Sequence, residues 1–187
     1  MGTFTALIAA GEDDGWVGTT WSNTGNEYFA KDTSVIYNSF LRWSNIAIPQ
    51  GATIISAKIT VKCAASTNTG VANINIYGNN VDDATAIPSL AAYNAAAVTT
   101  ALTNWVITSW TVGTVYDSPD ITNVIQEIVN RAGWASGNAL QILIKNNGSA
   151  TSSVKAFTSY NTTPASSALL TIDYLSGGNT SNFFFMF

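Results

Sequence analysis

The clearest pattern in the chain is an alternation of apolar and polar residues over residues 53–63. One face of this segment carries Ile55, Ala57, Ile59, Val61 and Cys63, and residues 56, 58, 60 and 62 between them are polar. Because side chains of a β-strand point alternately to opposite faces, the period of two predicts a strand with one buried face. Pro49 and Gly51, placed as turn residues, precede it.

A different period governs residues 117–144. Apolar residues recur there at spacings of three and four, which places them on one face of a helix. They are Ile121, Val124, Ile125, Ile128 and Val129. Ser118, Pro119 and Asp120 resemble a helix start, and Gly133 and Gly137 follow the helix. We expect one short amphipathic helix near residues 119–131 that closes an end or an open edge of a sheet, followed by an apolar strand.

Nearly all of the remaining chain has the pattern of strands and turns. About ten short strands with polar turns predict an all-β fold, a two-sheet, jelly-roll-like antiparallel β-sandwich. A strand with bulk on both faces is expected over residues 35–48, and another over residues 104–115. Residues 82–103 are Ala-rich and predict a long excursion with a helical turn at 89–97. We expect a single domain over residues 1–175 and a Gly/Asn linker with an aromatic tail over 176–187.

Composition narrows the function classes. Of the 187 residues 47% are hydrophobic and only 10% are charged, and the net charge is −4 without a basic cluster. Nucleic-acid binding is therefore not expected, because it requires clustered basic side chains. No apolar run is long enough for a membrane-spanning helix, and the first residues lack the basic region of a signal peptide.

The chain contains no histidine and a single cysteine, Cys63. These counts exclude Ser-His-Asp and Cys-His catalysis and histidine-ligated zinc within this sequence. They also exclude an internal disulfide, and the position of Cys63 in the alternating strand predicts a core residue. We expect a protein that is not an enzyme.

An ordered set of short motifs resembles the DNRLRE-type β-sandwich family, which is grouped with carbohydrate-binding modules. The matching segments fall within residues 13–17, 39–43, 48–59, 120–122, 157–159 and 170–174. They read DDGWV, SFLRW, IPQGATIISAKI, DIT, FTS and LTIDY. The resemblance implies a carbohydrate-binding-like sandwich, and the chain looks similar to the versions of this family that tailed bacteriophages carry.

The same resemblance suggests a cofactor, because carbohydrate-binding sandwiches often hold a structural calcium ion. Asp13, Asp14 and Asp173 are the candidate ligands. The alternative is that these residues are solvated acids of turns and caps. No pair of acids stands out as the general acid and nucleophile of a glycosidase.

Aromatic residues are the candidate ligand-binding groups. Trp16, Trp21 and Tyr28 lie among Gly and Asn residues, where flat rings can stack on a sugar or anchor a partner. The alternative for these three is packing in the core, which is also expected of Trp105, Trp110 and Trp134. Arg42 lies between two apolar residues of a strand. We expect it to be half buried and bonded to carbonyl groups or to a carboxylate such as Asp120.

The last segment of the sequence is the most unusual. After the spacer SGGNTSN, five apolar residues follow one another: Phe183, Phe184, Phe185, Met186 and Phe187. Exposed, they would promote aggregation, so we expect them to dock on a partner, either other copies of the chain or a larger particle. The alternative is that the tail folds back on its own domain.

Two functions follow from these observations. The first is a non-catalytic structural protein of a bacteriophage virion, a decoration or accessory protein on the capsid, tail or fibre. The second is a carbohydrate-binding module, an adhesin for host glycans or polysaccharides in a secreted or surface protein. The expected partners are other virion proteins, further copies of the chain and glycans; the expected location is the virion, or alternatively the extracellular space.

Overall fold

The computed structural model describes residues 1–65 and 70–176. The N-terminal half consists of strands β1 (Gly2–Leu7), β2 (Asp14–Val17), β3 (Trp21–Ser22), β4 (Glu27–Lys31), β5 (Ile36–Trp43), β6 (Thr53–Ala65) and β7 (Ala72–Asn79). The remaining elements are helix α1 (Leu90–Ala95), strands β8 (Val98–Ile107) and β9 (Val115–Asp117), helix α2 (Thr122–Val129), strands β10 (Leu140–Asn146) and β11 (Lys155–Phe157), a 3₁₀ turn (Pro164–Ser166) and strand β12 (Leu169–Leu175).

Every paired strand in this part of the chain is antiparallel, and the strands form one curled sheet in the order β1-β12-β6-β11-β4-β5-β10-β7-β8. Strand β4 makes the turn of the curl. Its first residues pair with β11, and Ala30 and Lys31 pair with β5. The two halves of the sheet therefore face each other across a common core, and the predicted all-β sandwich-like fold is confirmed.

Strand β5 lies at the centre of one half. It pairs with β10 along one edge and with β2 and β4 along the other. Leu41 belongs to the main core, whereas Phe40, its neighbour on the opposite face, packs in a second cluster with Tyr93 and Leu143. The expectation of a strand with apolar groups on both faces is confirmed, since segments of the chain cover both sides of β5.

Strand β6 follows the predicted alternation except at its beginning. Ala57, Ile59, Val61 and Cys63 are buried as expected, but Ile55 is 46% exposed and Ile54 is buried instead. The register between β12 and β6 shifts here, since Asp173 pairs with Ser56 and Tyr174 with Ile54. The extra residue of this bulge reverses the faces, so the prediction for Ile55 was wrong.

Helix α2 buries the predicted face: Ile121, Val124, Ile125, Ile128 and Val129 are at most 1% exposed. The helix is shorter than residues 119–131, because Thr122–Val129 alone are helical. Asp120, just before it, accepts hydrogen bonds from Thr122 N and Thr122 Oγ1, so its carboxylate satisfies a free amide of the first turn.

The helix joins the two halves of the curled sheet. Gln126 accepts a hydrogen bond from Ile54 N and donates one to Ala52 O, at the start of β6. Glu127 accepts hydrogen bonds from Thr100 N and Ala101 N of β8, the last strand of the other half. Side chains of α2 thus satisfy backbone groups that the sheet leaves unpaired, and the helix closes an open edge as the sequence predicted.

The long excursion also contains a helix. Ser89 Oγ accepts a hydrogen bond from Ala92 N at the start of α1, which falls within the expected residues 89–97. Strand β8 begins at Val98 and ends at Ile107, so the boundaries expected from the sequence, 104–115, were wrong. Trp105, Trp110, Trp134 and Cys63 are buried, as predicted.

Candidate functional site

An aromatic cluster lies on neighbouring strands near the N-terminus. Trp16 of β2 is 5.8 Å from Tyr28 of β4 and 5.3 Å from Tyr37 of β5, measured between ring centroids, and both contacts are edge-to-face. All three rings are half-buried. The structure therefore brings together two of the predicted ligand-binding residues and adds Tyr37, which the sequence analysis had placed only in a strand.

Trp21, the third predicted ring, belongs to a different environment. It packs against the second hydrophobic cluster, which contains Val17, Phe40 and Tyr93. Its indole Nε1, like that of Trp16, is buried without a hydrogen-bond partner among the described residues. Neither indole N–H is therefore presented to solvent for a sugar hydroxyl. The half-buried rings of the aromatic cluster are the candidate stacking surface on these strands.

Asp13 and Arg42 form a partly buried ion pair. Arg42 Nη1 donates to Asp13 Oδ1 at 2.5 Å, and Arg42 Nε donates to Ala84 O at 2.7 Å. Burial raises the pKa of Asp13, and the adjacent guanidinium opposes that increase. The sequence correctly predicted a half-buried arginine bonded to a carbonyl and a carboxylate. The carboxylate is Asp13, whereas Asp120 bonds to Ala57 N and Thr122.

Two further carboxyl groups are fully buried close to each other. Asp14 and Glu27 are both 0% exposed. Burial raises the pKa of Asp14 to about 6. The hydrogen bond that Asp14 accepts from Tyr160 N opposes this increase, and the charge of Asp13 adds to it. Burial also raises the pKa of Glu27 well above its ordinary value, and the charge of Asp14 raises it further. The sequence analysis missed Glu27, because no local pattern around it indicates burial.

Asp173 lies elsewhere, on the outer face of the β1-β12-β6 half. It accepts hydrogen bonds from Thr3 Oγ1 and Ser56 Oγ, which hold its pKa below the ordinary value. It borders a groove of about 400 Å³. The lining residues include Ser56, Lys58, Ser118, Asp120 and Thr171.

The three predicted calcium ligands therefore do not share partners. Asp13 is bonded to Arg42, Asp14 to Tyr160 N, and Asp173 to side chains of β1 and β6. Within residues 1–65 and 70–176, no group of three or more His, Cys, Asp or Glu side chains is placed to hold a metal ion.

The predicted docking residues Phe183, Phe184, Phe185, Met186 and Phe187 lie outside the described residues, and so does the spacer before them from residue 177 onwards. None of the helices that the structure describes is long and apolar enough to cross a membrane. A search with family models finds no match to the chain, and no curated protein matches it either.

Proposed function

We propose that the chain is a non-catalytic structural protein of a bacteriophage virion, a decoration or accessory component on the surface of the capsid, tail or fibre. The observation that supports this proposal is that the acidic side chains form hydrogen bonds and ion pairs between segments of the fold. Most of them hold one segment of the sandwich to another, and a carboxylate committed in this way is a poor candidate for acid–base or nucleophilic chemistry.

These acids bond to residues that are far from them in the sequence. Asp82 pairs with Arg131 at 2.6 Å, and Asp83 accepts a hydrogen bond from Ala139 N at 2.7 Å. Asp117 accepts from Lys58 Nζ and Thr60 Oγ1, which hold its pKa below the ordinary value. The result is a braced domain, which suits a protein that must remain folded on the outside of a particle.

Exposed apolar side chains support docking on a partner. Leu102 and Val106 project from the outer face of the edge strand β8, and Val112 and Val115 follow in the next loop and strand. All four are more than 40% exposed. These four side chains offer contact area for another protein or another copy of the chain. The sequence adds the five apolar residues at 183–187, which lie outside the described residues.

Mass spectrometry of purified phage particles tests the proposal directly. Peptides of the chain should be recovered at a stoichiometry of many copies per particle after removal of soluble protein by density gradient. Recovery only in the soluble fraction or in the secreted fraction of a bacterial culture would contradict a virion location.

A carbohydrate-binding module is the second candidate. The groove beside Asp173 favours it, since hydroxyl, ammonium and carboxylate groups line a volume of about 400 Å³ that can accommodate sugar hydroxyls. The half-buried rings of Trp16 and Tyr28 are the alternative contact surface on this chain. The two functions are compatible if a virion protein contacts the glycans of its host.

A glycan array separates these possibilities. Binding that Trp16→Ala abolishes would assign the aromatic cluster, and binding that Lys58→Ala or Asp173→Asn abolishes would assign the groove. Absence of binding across bacterial polysaccharides would contradict the carbohydrate-binding function and leave the structural one.

A further inference from the structure

Strand β1 forms one edge of the curled sheet, and β8 forms the other. Within residues 1–65 and 70–176, β12 is the only strand that pairs with β1. Their register places Gly2 opposite Tyr174 and Leu7 opposite Leu169, and no bulge interrupts it. The second side of β1 therefore faces no strand of the described chain.

The register also shows which backbone groups point to this open side. Ile8 N donates to Ala168 O at 3.1 Å, one step beyond Leu7 in the same register. In an antiparallel pair, residues that exchange hydrogen bonds with the partner strand alternate with residues whose N–H and C=O groups point away from it. Residues 2, 4 and 6 therefore direct their backbone groups to β12. Those of Thr3, Thr5 and Leu7 point to the open side, and no loop or side chain of the described residues bonds to them.

The two edges of the sheet differ in their protection. At β8, the Glu127 carboxylate accepts hydrogen bonds from Thr100 N and Ala101 N. Strand β1 reads GTFTAL and contains neither a charged residue nor a proline, the residue types that commonly keep other strands away from an edge. A regular, uncharged edge with free backbone groups is a template for another strand.

The free groups of β1 complement those of a second β1 strand. An antiparallel alignment that places Thr5 opposite Thr5 of the second copy also places Thr3 opposite Leu7. These are the residues with free groups, so each of these pairs can exchange hydrogen bonds in both directions. The alignment has two-fold symmetry, the commonest symmetry of protein dimers. It sets no charged side chains against each other, since Phe4 lies opposite Ala6 and Thr3, Thr5 and Leu7 are uncharged.

We propose that β1 is a homodimerisation edge, which pairs antiparallel with β1 of a second copy of the chain about a two-fold axis at Thr5. The curled sheets of the two copies then form one continuous sheet. Phe4 and Ala6 are half-buried and pack against the main core, so the second copy would cover their remaining exposed surface. This edge is opposite to Leu102 and Val106 of β8, and the inference does not depend on a virion location.

The dimer should be weak. A pair of short strands buries less area than the roughly 1,200–2,000 Å² of a standard stable interface, and main-chain hydrogen bonds supply much of its affinity. We therefore expect a dissociation constant in the micromolar range. Sedimentation equilibrium of the purified full chain should show the 19.7 kDa monomer at low concentration. The mass should approach twice that value at about 100 μM.

Charged substitutions at the symmetry axis test the alignment. Thr5 is exposed in the single chain, so Thr5→Lys and Thr5→Glu should fold, but each places two like charges opposite each other in the dimer. Each variant alone should bind itself about fivefold more weakly than the wild type. An equimolar mixture of the two should dimerise at least as tightly as the wild type, because opposite charges then face each other. Recovery in the mixture also shows that both variants are folded.

Hydrogen exchange locates the contact. The amides of Thr3, Thr5 and Leu7 should exchange more slowly as the concentration rises, whereas those of Thr100 and Ala101 should not change. Leu102→Lys is the matched control, because it introduces the same charge on an exposed residue of the opposite edge and should dimerise as the wild type does.

Three results would overturn the proposal. The first is a mixture of Thr5→Lys and Thr5→Glu that dimerises no better than either variant alone. The second is a dimer that Leu102→Lys weakens as much as Thr5→Lys does, which would place the contact on β8. The third is a wild type that remains monomeric at about 100 μM. If such a monomer dimerises once residues 183–187 are replaced by serine, the tail of the same chain is the occupant of the edge.

Discussion

Arg42 joins strand β5 to the loop before β2 through Asp13, with 2.5 Å between Nη1 and Oδ1 and a second link from Arg42 N to Asp13 O at 2.7 Å. The Asp13 side chain is 3% exposed and that of Arg42 is 21% exposed. The guanidinium thereby neutralises Asp13. The adjacent Asp14 has a different partner and accepts a hydrogen bond from Tyr160 N.

Breaking this partly buried pair should destabilise the fold. Asp13→Asn leaves the guanidinium in a poorly hydrated position without a counter-charge, and we expect a loss of about 2–3 kcal/mol in the free energy of unfolding. Chemical denaturation measures it. The exposed pair Lys58–Asp117 provides the control, because Asp117→Asn should cost less than about 1 kcal/mol. Equal losses in the two variants would contradict the burial argument.

Gly78 and Ile128 are in close contact where α2 lies on β7. A Cβ added at Gly78 would stand 2.5 Å from Ile128 Cδ1. Gly78→Ala should therefore destabilise the protein by about 1–3 kcal/mol through overpacking. Ile128→Val, which removes Cδ1, should cost about 0.5–1.5 kcal/mol alone and should suppress much of the Gly78→Ala loss in the double variant. Strict additivity of the two changes would show that the contact is absent.

Glu127 protects the edge strand β8 by accepting hydrogen bonds from Thr100 N and Ala101 N, both at 2.8 Å. Gln has a single acceptor oxygen, so Glu127→Gln leaves one amide of the edge without this partner. We expect a loss of about 1–2 kcal/mol and faster hydrogen exchange at Thr100 and Ala101. The exposed Glu12 gives the control, since Glu12→Gln should change stability by less than about 0.5 kcal/mol. Unchanged exchange at both amides would disprove the role of Glu127.

Asp120 gives a prediction for acidic pH. Burial raises its pKa, but hydrogen bonds from Thr122 Oγ1, Ala57 N and Thr122 N outweigh burial and leave the pKa below its ordinary value. A lowered folded-state pKa means that the contribution is present above the unfolded-state pKa and is lost as pH falls through the folded-state pKa.

The variant Asp120→Asn isolates this contribution. Its deficit relative to the wild type should be about 0.5–1 kcal/mol near pH 7, allowing for the exposure of the carboxylate, and should shrink below pH 4. Melting curves between pH 2 and 7 measure the difference. A deficit that is constant over this range would mean that the ionised form is not favoured in the folded protein.

Local periodicity was sufficient to predict which face of an element is buried wherever no irregularity interrupts the helical or strand period. The buried face of α2 and the positions from Ala57 to Cys63 were predicted correctly, because burial there follows the helical or strand period. The prediction that Ile55 is buried was wrong, because the bulge at this point depends on the register of β12, more than a hundred residues away. The helix begins later and ends earlier than the expected residues 119–131, because its boundaries depend on contacts of the end residues that the apolar period does not encode.

The candidate site was less predictable than the fold. Trp16 and Tyr28 were chosen from the sequence and do lie together, but their contact with Tyr37 requires the pairing of β2 and β4 with β5. Glu27 is flanked by Asn26 and the half-buried Tyr28, so its burial becomes visible only when β4 is paired with β11. Similarly, the partner of Arg42 depends on which loop the fold brings to β5.

We propose that the braced sandwich attaches to a virion through apolar contacts that include residues 183–187. The most direct test replaces Phe183, Phe184, Phe185, Met186 and Phe187 with serine, retains the preceding spacer, and measures the copies of each chain in purified particles by quantitative mass spectrometry. The serine variant should keep the melting temperature of the wild type and remain in the soluble fraction, whereas the wild type is incorporated. Equal incorporation of the two chains would contradict the claim.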